Sequence, residues 1–298
     1  MKITVTGATG HLGRHVIAAL LEQMPAERVA AVVRSREKAA DLAALGVEVR
    51  VADYDEPATL ADAFRAGERV LFVSGNAVGR RVPQHRSVVD AAAAARVGLL
   101  AYTGILGGPK ADFLLADEHK ATEQIILDSG LPYAFLRNGW YHEVHTDQLA
   151  AVLESGAVLG SAGAGRIAAA ARADYAAAAA AVLTGEGHEG RAYELSGDTA
   201  WSLPEYAAEV ARQSGTQVGY RDLPPAEHRR VLLGAGLPKA MADVLVDVDA
   251  AVSRGLLAGT SGELSRLIGR PTTPLADAVA AGLAAGLAAG LAGGSAAR

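Results

Sequence analysis

Strand-like and helix-like segments alternate six times between residues 3 and 138 of this 298-residue chain. Short apolar runs such as KITVTG, RVAAVVR and LLAYTG are typical of buried strands, and each is followed by a segment that reads as a helix. Because parallel strands need crossover connections, the alternation predicts an α/β fold with a parallel sheet and helices on both faces. Ligands of such sheets bind beyond the carboxyl ends of the strands.

The stretch TGATGHLG stands between the first predicted strand and the first predicted helix. Its glycines permit a tight turn, let the backbone approach a pyrophosphate, and let the helix (at Gly13) pack closely on the strand. The free amide groups at the N-terminus of the helix favour phosphate. The motif therefore predicts a Rossmann-type, doubly wound sheet that binds a dinucleotide through Gly7, Ala8, Thr9, Gly10, His11 and Leu12.

The residue that follows the second predicted strand indicates which dinucleotide binds. VVRSREK places Arg34 where an NAD site would have an acidic residue. A guanidinium forms charge-assisted, bidentate bonds with a phosphate, so NADP(H) is the predicted cofactor. The alternative is a solvated charge at a helix start. By position, we expect Asp53 to contact the adenine amino group, and Ser74, Gly75 and Asn76 to lie along the ribose and pyrophosphate.

A second unusual stretch, LRNGWYHE, follows the sixth predicted strand, near the expected nicotinamide. Asn138 can hydrogen-bond a carboxamide or an acceptor oxygen, and Trp140 and Tyr141 offer flat apolar faces to a planar acceptor. The alternative is that Trp140 is a core residue that covers the strand end. His142 and His145 form an HxxH pattern, but without a third ligand we predict no metal site.

Several segments together resemble the NmrA-like atypical short-chain dehydrogenases, from Met1 to about Ala280: GATGHLG, VVRSREKA, PQHR, AYTG, LRNGWY, RADYAAAAA and SRLIG. The resemblance implies reduction of a quinone or a similar planar acceptor, and often a homodimer. It also implies an NADP site lined by the glycine motif, Arg34, the segment 74–76 and the run Asn138, Gly139, Trp140, Tyr141, His142 and Glu143.

Short-chain dehydrogenases usually carry a Tyr-x-x-x-Lys pair on the helix after the fifth strand, but here Ala116 stands four residues before Lys120. Hydride addition to a ketone makes an alkoxide whose conjugate acid has a pKa on the order of 16, and it needs an acid. A quinone makes a phenolate-type anion with a pKa of about 10, so positioning alone can suffice. We predict a quinone reductase without a catalytic side chain, and expect His119 and Glu123 to form a structural pair.

A second class of protein would also lack this pair: an NADP-binding redox sensor that regulates a partner protein and catalyses nothing. A stacking wall beside the nicotinamide favours the reductase, since a sensor has no need of one. A third hypothesis is reduction of another activated acceptor, such as a cationic dye or a nitroaromatic compound.

The pattern changes after about residue 145. A helix that we expect Asp174 to cap follows a glycine turn, and WSLPEYAAEVARQSG predicts a helix with a capping box of Ser202 and Glu205. We predict a Rossmann domain at 1–150, a smaller C-terminal α/β lid region interwoven with it at 151–277, and an exposed, partly helical, low-complexity Ala/Gly tail at 278–298.

Composition excludes several functions. The net charge of −5 predicts no nucleic-acid surface, and the absence of cysteine excludes disulfides and thiolate metal sites. The N-terminus does not read as a signal peptide, and the tail is too weakly apolar to suggest a membrane span. The expected location is therefore the cytoplasm.

Overall fold

The computed structural model describes residues 1–295, with side chains described as far as residue 287. The strands are β1 (Ile3–Thr6), β2 (Val29–Val33), β3 (Glu48–Val51), β4 (Arg69–Phe72), β5 (Leu99–Ile105), β6 (Tyr133–Asn138), β7 (Ala157–Gly160), β8 (Arg166–Ile167), β9 (Arg191–Leu195), β10 (Trp201–Ser202) and β11 (Gly219–Asp222). The helices are α1 (His11–Leu21), α2 (Ala40–Ala44), α3 (Arg81–Ala95), α4 (Leu114–Asp128), α5 (Glu143–Thr146), α6 (Leu149–Ser155), α7 (Arg172–Thr184), α8 (Leu203–Ser214), α9 (Pro225–Gly234), α10 (Lys239–Ser253), α11 (Glu263–Ile268) and α12 (Leu275–Ser295).

Seven strands form one parallel sheet in the order β3-β2-β1-β4-β5-β6-β9. The chain moves outward from β1 to β3 and then returns to the other side of β1, so a crevice opens at the carboxyl edge between β1 and β4. Helices α1 and α7 cover one face, while α3 and α4 cover the other. The predicted doubly wound α/β fold is confirmed.

The C-terminal region contributes to the main sheet and also forms its own small layers. Strand β9 extends the sheet beside β6, whereas β8 pairs with β10 and β7 pairs with β11 in two separate two-stranded sheets. A separate apolar cluster, built around Trp201, Tyr206 and Val248, fills the space between these elements. The capping box of Ser202 and Glu205 at the start of α8 is confirmed.

Two local predictions were wrong. In each case a side chain forms hydrogen bonds other than those that the predicted helix or helix cap would need. The sequence PATLADAFRAG predicts a helix with Pro57 in its first turn, but the structure has only a 3-10 segment, Pro57–Asp62, in which the Thr59 hydroxyl bonds the backbone of Asp53 and Glu56. Asp174 lies in the first turn of α7 and does not cap it; its buried carboxylate instead accepts a hydrogen bond from the Thr273 backbone at 2.8 Å.

The start of the predicted tail is packed and not exposed. Ala278 and Val279 are buried, and a Cβ placed on Gly282 would lie only 2.6 Å from the Leu149 side chain. Small residues thus let α12 approach α5 and α6 closely. Residues 296–298 of the predicted tail lie outside the described residues. None of the helices within residues 1–295 is long and apolar enough to cross a membrane.

A buried ion pair ties the sheet together at β3. The Arg50 guanidinium donates to both carboxylate oxygens of Glu68, at 2.7 and 2.8 Å, and both side chains are at least nine-tenths buried. Thr4 of β1 donates a third hydrogen bond to this carboxylate. Burial alone would raise the pKa of Glu68, but the bonds from Arg50 and Thr4 outweigh it and hold the pKa below its usual value.

We predict that Glu68→Ala lowers the free energy of unfolding by about 3 kcal/mol, because it removes the buried counter-charge of Arg50 and leaves only the more exposed carboxylate of Glu48 to pair with it. The control is Asp112→Ala, which removes an exposed partner of Arg254 and should cost at most about 1 kcal/mol. Urea denaturation measures both values. Equal costs for the two variants would show that the buried pair has no special role.

Candidate active site

A cavity of about 900 Å³ opens at the carboxyl edge of the main sheet, at the crevice between β1 and β4. Its volume falls within the range of pockets that hold drug-sized ligands and cofactors. Residues from the ends of β1 to β5, together with Tyr141 after β6, surround it. Of the predicted cofactor-binding residues, those that line the cavity are Gly7, Thr9, Gly10, His11, Leu12, Arg34, Asp53, Ser74, Gly75, Asn76 and Tyr141.

The glycine turn lies at the centre of the cavity. Gly7 has a φ of +57°, and a Cβ on Gly13 would lie 2.3 Å from the Gly7 carbonyl oxygen, so α1 packs directly on the turn. Gly10 caps α1 without a side-chain hydrogen bond to the helix, and no acidic residue stands in its first turn. First-turn amides have no acceptor within their helix, so they are available to an anion in the cavity.

Cationic side chains surround the β2 end of the cavity. Arg34 and Lys38 are exposed there, and Arg14 joins them from the first turn of α1, where it pairs with Asp41. Arg14 also donates to the Lys38 carbonyl at 3.0 Å. These positive charges make this end of the cavity suitable for a phosphate group in addition to the pyrophosphate, which is what the sequence predicted from Arg34.

The segment after β4 is held from both sides. The Ser74 amide donates to the Thr103 hydroxyl at 2.9 Å. The Gly75 amide donates to His85 Nε2 at 3.0 Å, and the Gly75 carbonyl accepts from Arg81 Nε at 2.6 Å. With both of its peptide groups occupied, Gly75 has a defined position along the cavity wall.

Hydrogen-bond partners determine the tautomer of the two histidines behind this segment. The Thr122 hydroxyl donates to the Glu118 carbonyl, so His85 Nδ1 must carry a proton and donate to Thr122, which leaves Nε2 as the acceptor for Gly75. Likewise His119 Nε2 faces an Arg81 nitrogen at 3.3 Å and must accept, so Nδ1 carries the proton and donates to the Tyr102 hydroxyl. Both arrangements require neutral imidazoles.

The surroundings keep both rings neutral. Burial, with a further contribution from the Arg81 charge, lowers the pKa of His85 to about 3. Burial and the Arg81 charge likewise lower the pKa of His119 to about 3. Glu123, which we expected to pair with His119, instead forms a bidentate ion pair with Arg137 at 2.7 and 2.9 Å. That expectation was wrong because Arg137 projects from β6 towards α4.

The run from Asn138 to Glu143 divides between two environments. Tyr141 lines the cavity, and the buried Asn138 donates from Nδ2 to its hydroxyl at 3.2 Å. Trp140 is partly buried and packs against the apolar cluster of the C-terminal region, which agrees with the alternative that it covers the strand end as a core residue. His142 lines a separate cavity of about 490 Å³ beside Trp201.

The other members of the predicted set support the site indirectly. Ala8 is fully buried under the turn, and the Gly139 amide donates to the Leu195 carbonyl of β9 at 2.7 Å. The Glu143 carboxylate accepts from the Arg172 amide at the start of α7. Cofactor contacts by these residues, and by Trp140 and His142, stay a prediction. Within residues 1–295 no group of three or more His, Cys, Asp or Glu side chains could hold a metal ion.

Several residues line the cavity although the sequence did not predict them to bind the cofactor: Arg14, Lys38, Tyr54, Asp55, Arg81, Gln84, Thr103 and Arg172. Gln84 belongs to the PQHR segment and Arg81 stands two residues before it, so a signal for both was present in the sequence. Arg172 reaches the cavity from a helix that starts more than 30 residues after β6. Nothing in the local sequence indicates that placement.

Comparisons with known proteins agree with this geometry. A family model described as NAD(P)H-binding matches residues 7–186. Together with the phosphate-binding turn, this match defines the class: the chain is an NAD(P)H-binding protein of the doubly wound type. An NmrA-like family domain-containing oxidoreductase of Aspergillus flavus is 31% identical over 291 residues, which is 94% of each chain. The chain therefore belongs to the NmrA-like NAD(P)H-binding family.

One further relative and two solved structures are similar to this chain over nearly their whole length. Quinone oxidoreductase 2 of Escherichia coli K12 is 49% identical over 278 residues, covering 93% of this chain and 97% of that protein. A crystal structure of an Escherichia coli NADPH-dependent quinone oxidoreductase complexed with NADPH matches with a TM-score of 0.90, at 49% identity over 93% of this chain and 98% of that one. Citrobacter triphenylmethane reductase complexed with NADP(H) also gives 0.90, at 39% identity over 94% and 100%.

We predict that the neutral histidines make the fold sensitive to mild acid. An unfolded histidine takes up a proton near pH 6.5, whereas folded His85 does so only near pH 3. Stability from this depressed pKa is complete above pH 6.5 and is lost as the pH falls towards 3. Between pH 7 and 5 the loss is about 2 kcal/mol for one such histidine.

The variant His85→Gln tests this, because glutamine retains a donor for Thr122 and an acceptor for Gly75 but does not titrate. Its free energy of unfolding should fall by about 2 kcal/mol less than that of the wild type between pH 7 and 5. His15→Gln, at an exposed position on α1, is the control and should leave the pH dependence unchanged. An unaltered slope in His85→Gln would refute the neutral tautomer.

Proposed function

We propose that this protein is an NADPH-dependent reductase that transfers a hydride to a quinone or a similar planar acceptor. The observation that carries the proposal is one continuous cavity with the glycine turn at its centre, Arg34 at one end and Tyr141 at the other. The names of the similar proteins support both halves of the proposal: they are reductases of quinones and of triphenylmethane dyes, and they were crystallised with NADPH or NADP(H).

The residues present fit this cofactor. The contact of Gly13 with Gly7 leaves room for a pyrophosphate against the first turn of α1. Arg34 can bind the 2′-phosphate that distinguishes NADPH from NADH. The buried Oδ1 of Asn138 has no hydrogen-bond partner among the described residues, and it can accept from the carboxamide of a nicotinamide. When bound, NADPH supplies the hydride.

The lack of a Tyr-Lys pair on α4 favours an activated acceptor over an ordinary ketone. Lys120 lies on α4 and pairs with Asp117 near the surface, so it does not serve as the lysine of a Tyr-Lys pair. A quinone anion is about 6 pKa units less basic than an alkoxide, which reduces the need for an acid by about 8 kcal/mol. The residues around the cavity then have to bind and orient the acceptor beside the cofactor. The homodimer, the lack of a nucleic-acid partner and the cytoplasmic location remain predictions.

We predict that purified protein oxidises NADPH with para-benzoquinone and prefers NADPH to NADH. In Arg34→Ala the KM for NADPH should rise about 10–100-fold, because the variant loses charge-assisted bonds of about 1.5–3 kcal/mol, while the KM for NADH stays unchanged. Absorbance at about 340 nm, where reduced nicotinamide absorbs, follows the reaction.

The matched control is Arg36→Ala in the same loop, since Arg36 lies outside the cavity and donates to the Val49 carbonyl. It should retain the preference for NADPH. Tight NADPH binding with no oxidation by quinones or dyes would contradict the reductase and support an NADP-binding sensor.

A further inference from the structure

Tyr141 offers an available phenol at the end of the cavity where the acceptor is expected. It follows β6, next to the end of β5, whereas Tyr54, which also lines the cavity, follows β3 at the opposite end. The Tyr141 oxygen accepts a hydrogen bond from Asn138 Nδ2 at 3.2 Å. No acceptor among the described residues takes the Tyr141 proton, so the O–H group can donate into the cavity.

The ring is held in one orientation by its neighbours. The Tyr175 ring packs edge-on against it, with centroids 5.1 Å apart and planes at 82°. The Arg172 guanidinium lies over the Tyr141 ring, 5.6 Å from the ring centroid. Arg172 is itself paired with Asp147 at 3.2 Å. A phenol that is fixed in this way can be aimed at one position in a bound ligand.

The hydroxyl groups of Thr103 and Tyr102, which also lie near this end, are already committed to the protein. The Thr103 hydroxyl accepts from the Ser74 amide and donates to the Ser74 hydroxyl. Tyr102 is fully buried, and its hydroxyl accepts from His119. Tyr141 is therefore the phenol best placed to meet an oxygen of the acceptor.

Resting on the proposed function, we propose that Tyr141 is a catalytic residue that protonates the quinone oxygen as the acceptor is reduced. The hydride leaves NADPH, which becomes NADP⁺, and forms a bond to one carbonyl oxygen of the quinone, so that a hydroquinone monoanion results. The O–H bond of Tyr141 then breaks as a new O–H bond forms on the other oxygen, giving the hydroquinone. The Tyr141 oxygen then regains a proton from water.

The surroundings of Tyr141 suit this role. Burial raises the pKa of the phenol, so it remains protonated at neutral pH, while the Asn138 hydrogen bond and the Arg172 charge act in the opposite direction. Both of these interactions stabilise the phenolate that forms when the proton leaves. A phenol and a hydroquinone have similar proton affinities, so the transfer is close to balanced.

The test compares Tyr141→Phe with Tyr133→Phe, a control at the start of β6, the strand that precedes Tyr141, where the ring stacks on Phe135 away from the cavity. For para-benzoquinone we expect kcat to fall about 100-fold in Tyr141→Phe, the low end of the range for a general acid. The fall should be smaller for a dichloro-benzoquinone, whose hydroquinone is more acidic. It should vanish for crystal violet, because hydride addition to its central carbon produces no oxyanion.

Two other readouts separate catalysis from cofactor binding. The Kd for NADPH, measured by nicotinamide fluorescence without an acceptor, should change less than about twofold in Tyr141→Phe. Wild-type kcat for the quinone should stay constant between about pH 6 and 9, since the proton is lost only above the ordinary phenol pKa of about 10.

Equal losses with every acceptor, or a matching loss of NADPH affinity, would overturn the proton donor and make Tyr141 a binding residue. No loss with para-benzoquinone would overturn it as well. If the wild type reduces none of the quinones, the proposed function fails first and the role of Tyr141 fails with it. Full activity in Tyr133→Phe shows that removing a hydroxyl from β6 is not harmful in itself.

Discussion

The contact between α1 and the turn after β1 is the constraint on which the site depends. Gly13 lies so close to the Gly7 carbonyl that any side chain there would overlap the backbone. This approach brings the first turn of α1 over the crevice between β1 and β4, with its amide groups directed at whatever occupies the cavity. Every other lining segment is arranged around that turn, from Arg34 after β2 to Tyr141 after β6.

The two ends of the cavity use electrostatics in different ways. At the β2 end, the cations are exposed to solvent, so the protein does not have to keep an unpaired charge buried before a phosphate binds. At the other end the polar groups are buried and their partners are fixed. His85 and His119 are neutral acceptors there, and they hold Gly75 and Arg81 in place without adding charge. A low dielectric near the acceptor strengthens each remaining hydrogen bond.

The structure shows what α4 does in place of carrying a Tyr-Lys pair. The helix that carries this pair in short-chain dehydrogenases presents His119 and Glu123 to the sheet, and both serve to join α4 to α3 and β6. In the mechanism that we propose, the phenol comes instead from the loop after β6, so that an aromatic loop at a strand end supplies the donor that the usual helix does not.

The sequence by itself determined the alternation of strands and helices, the glycine turn and Arg34, because these depend on periodicity and on residues that are neighbours along the chain. It also marked the loop of Asn138 and Tyr141. Only the tertiary structure decided that Tyr141, and not Trp140, faces the cavity, and that Arg172 crosses from α7 to hold it. It also decided that the Asp174 carboxylate bonds the distant Thr273 backbone and does not cap α7. Those outcomes depend on packing between segments distant in sequence, which local patterns do not contain.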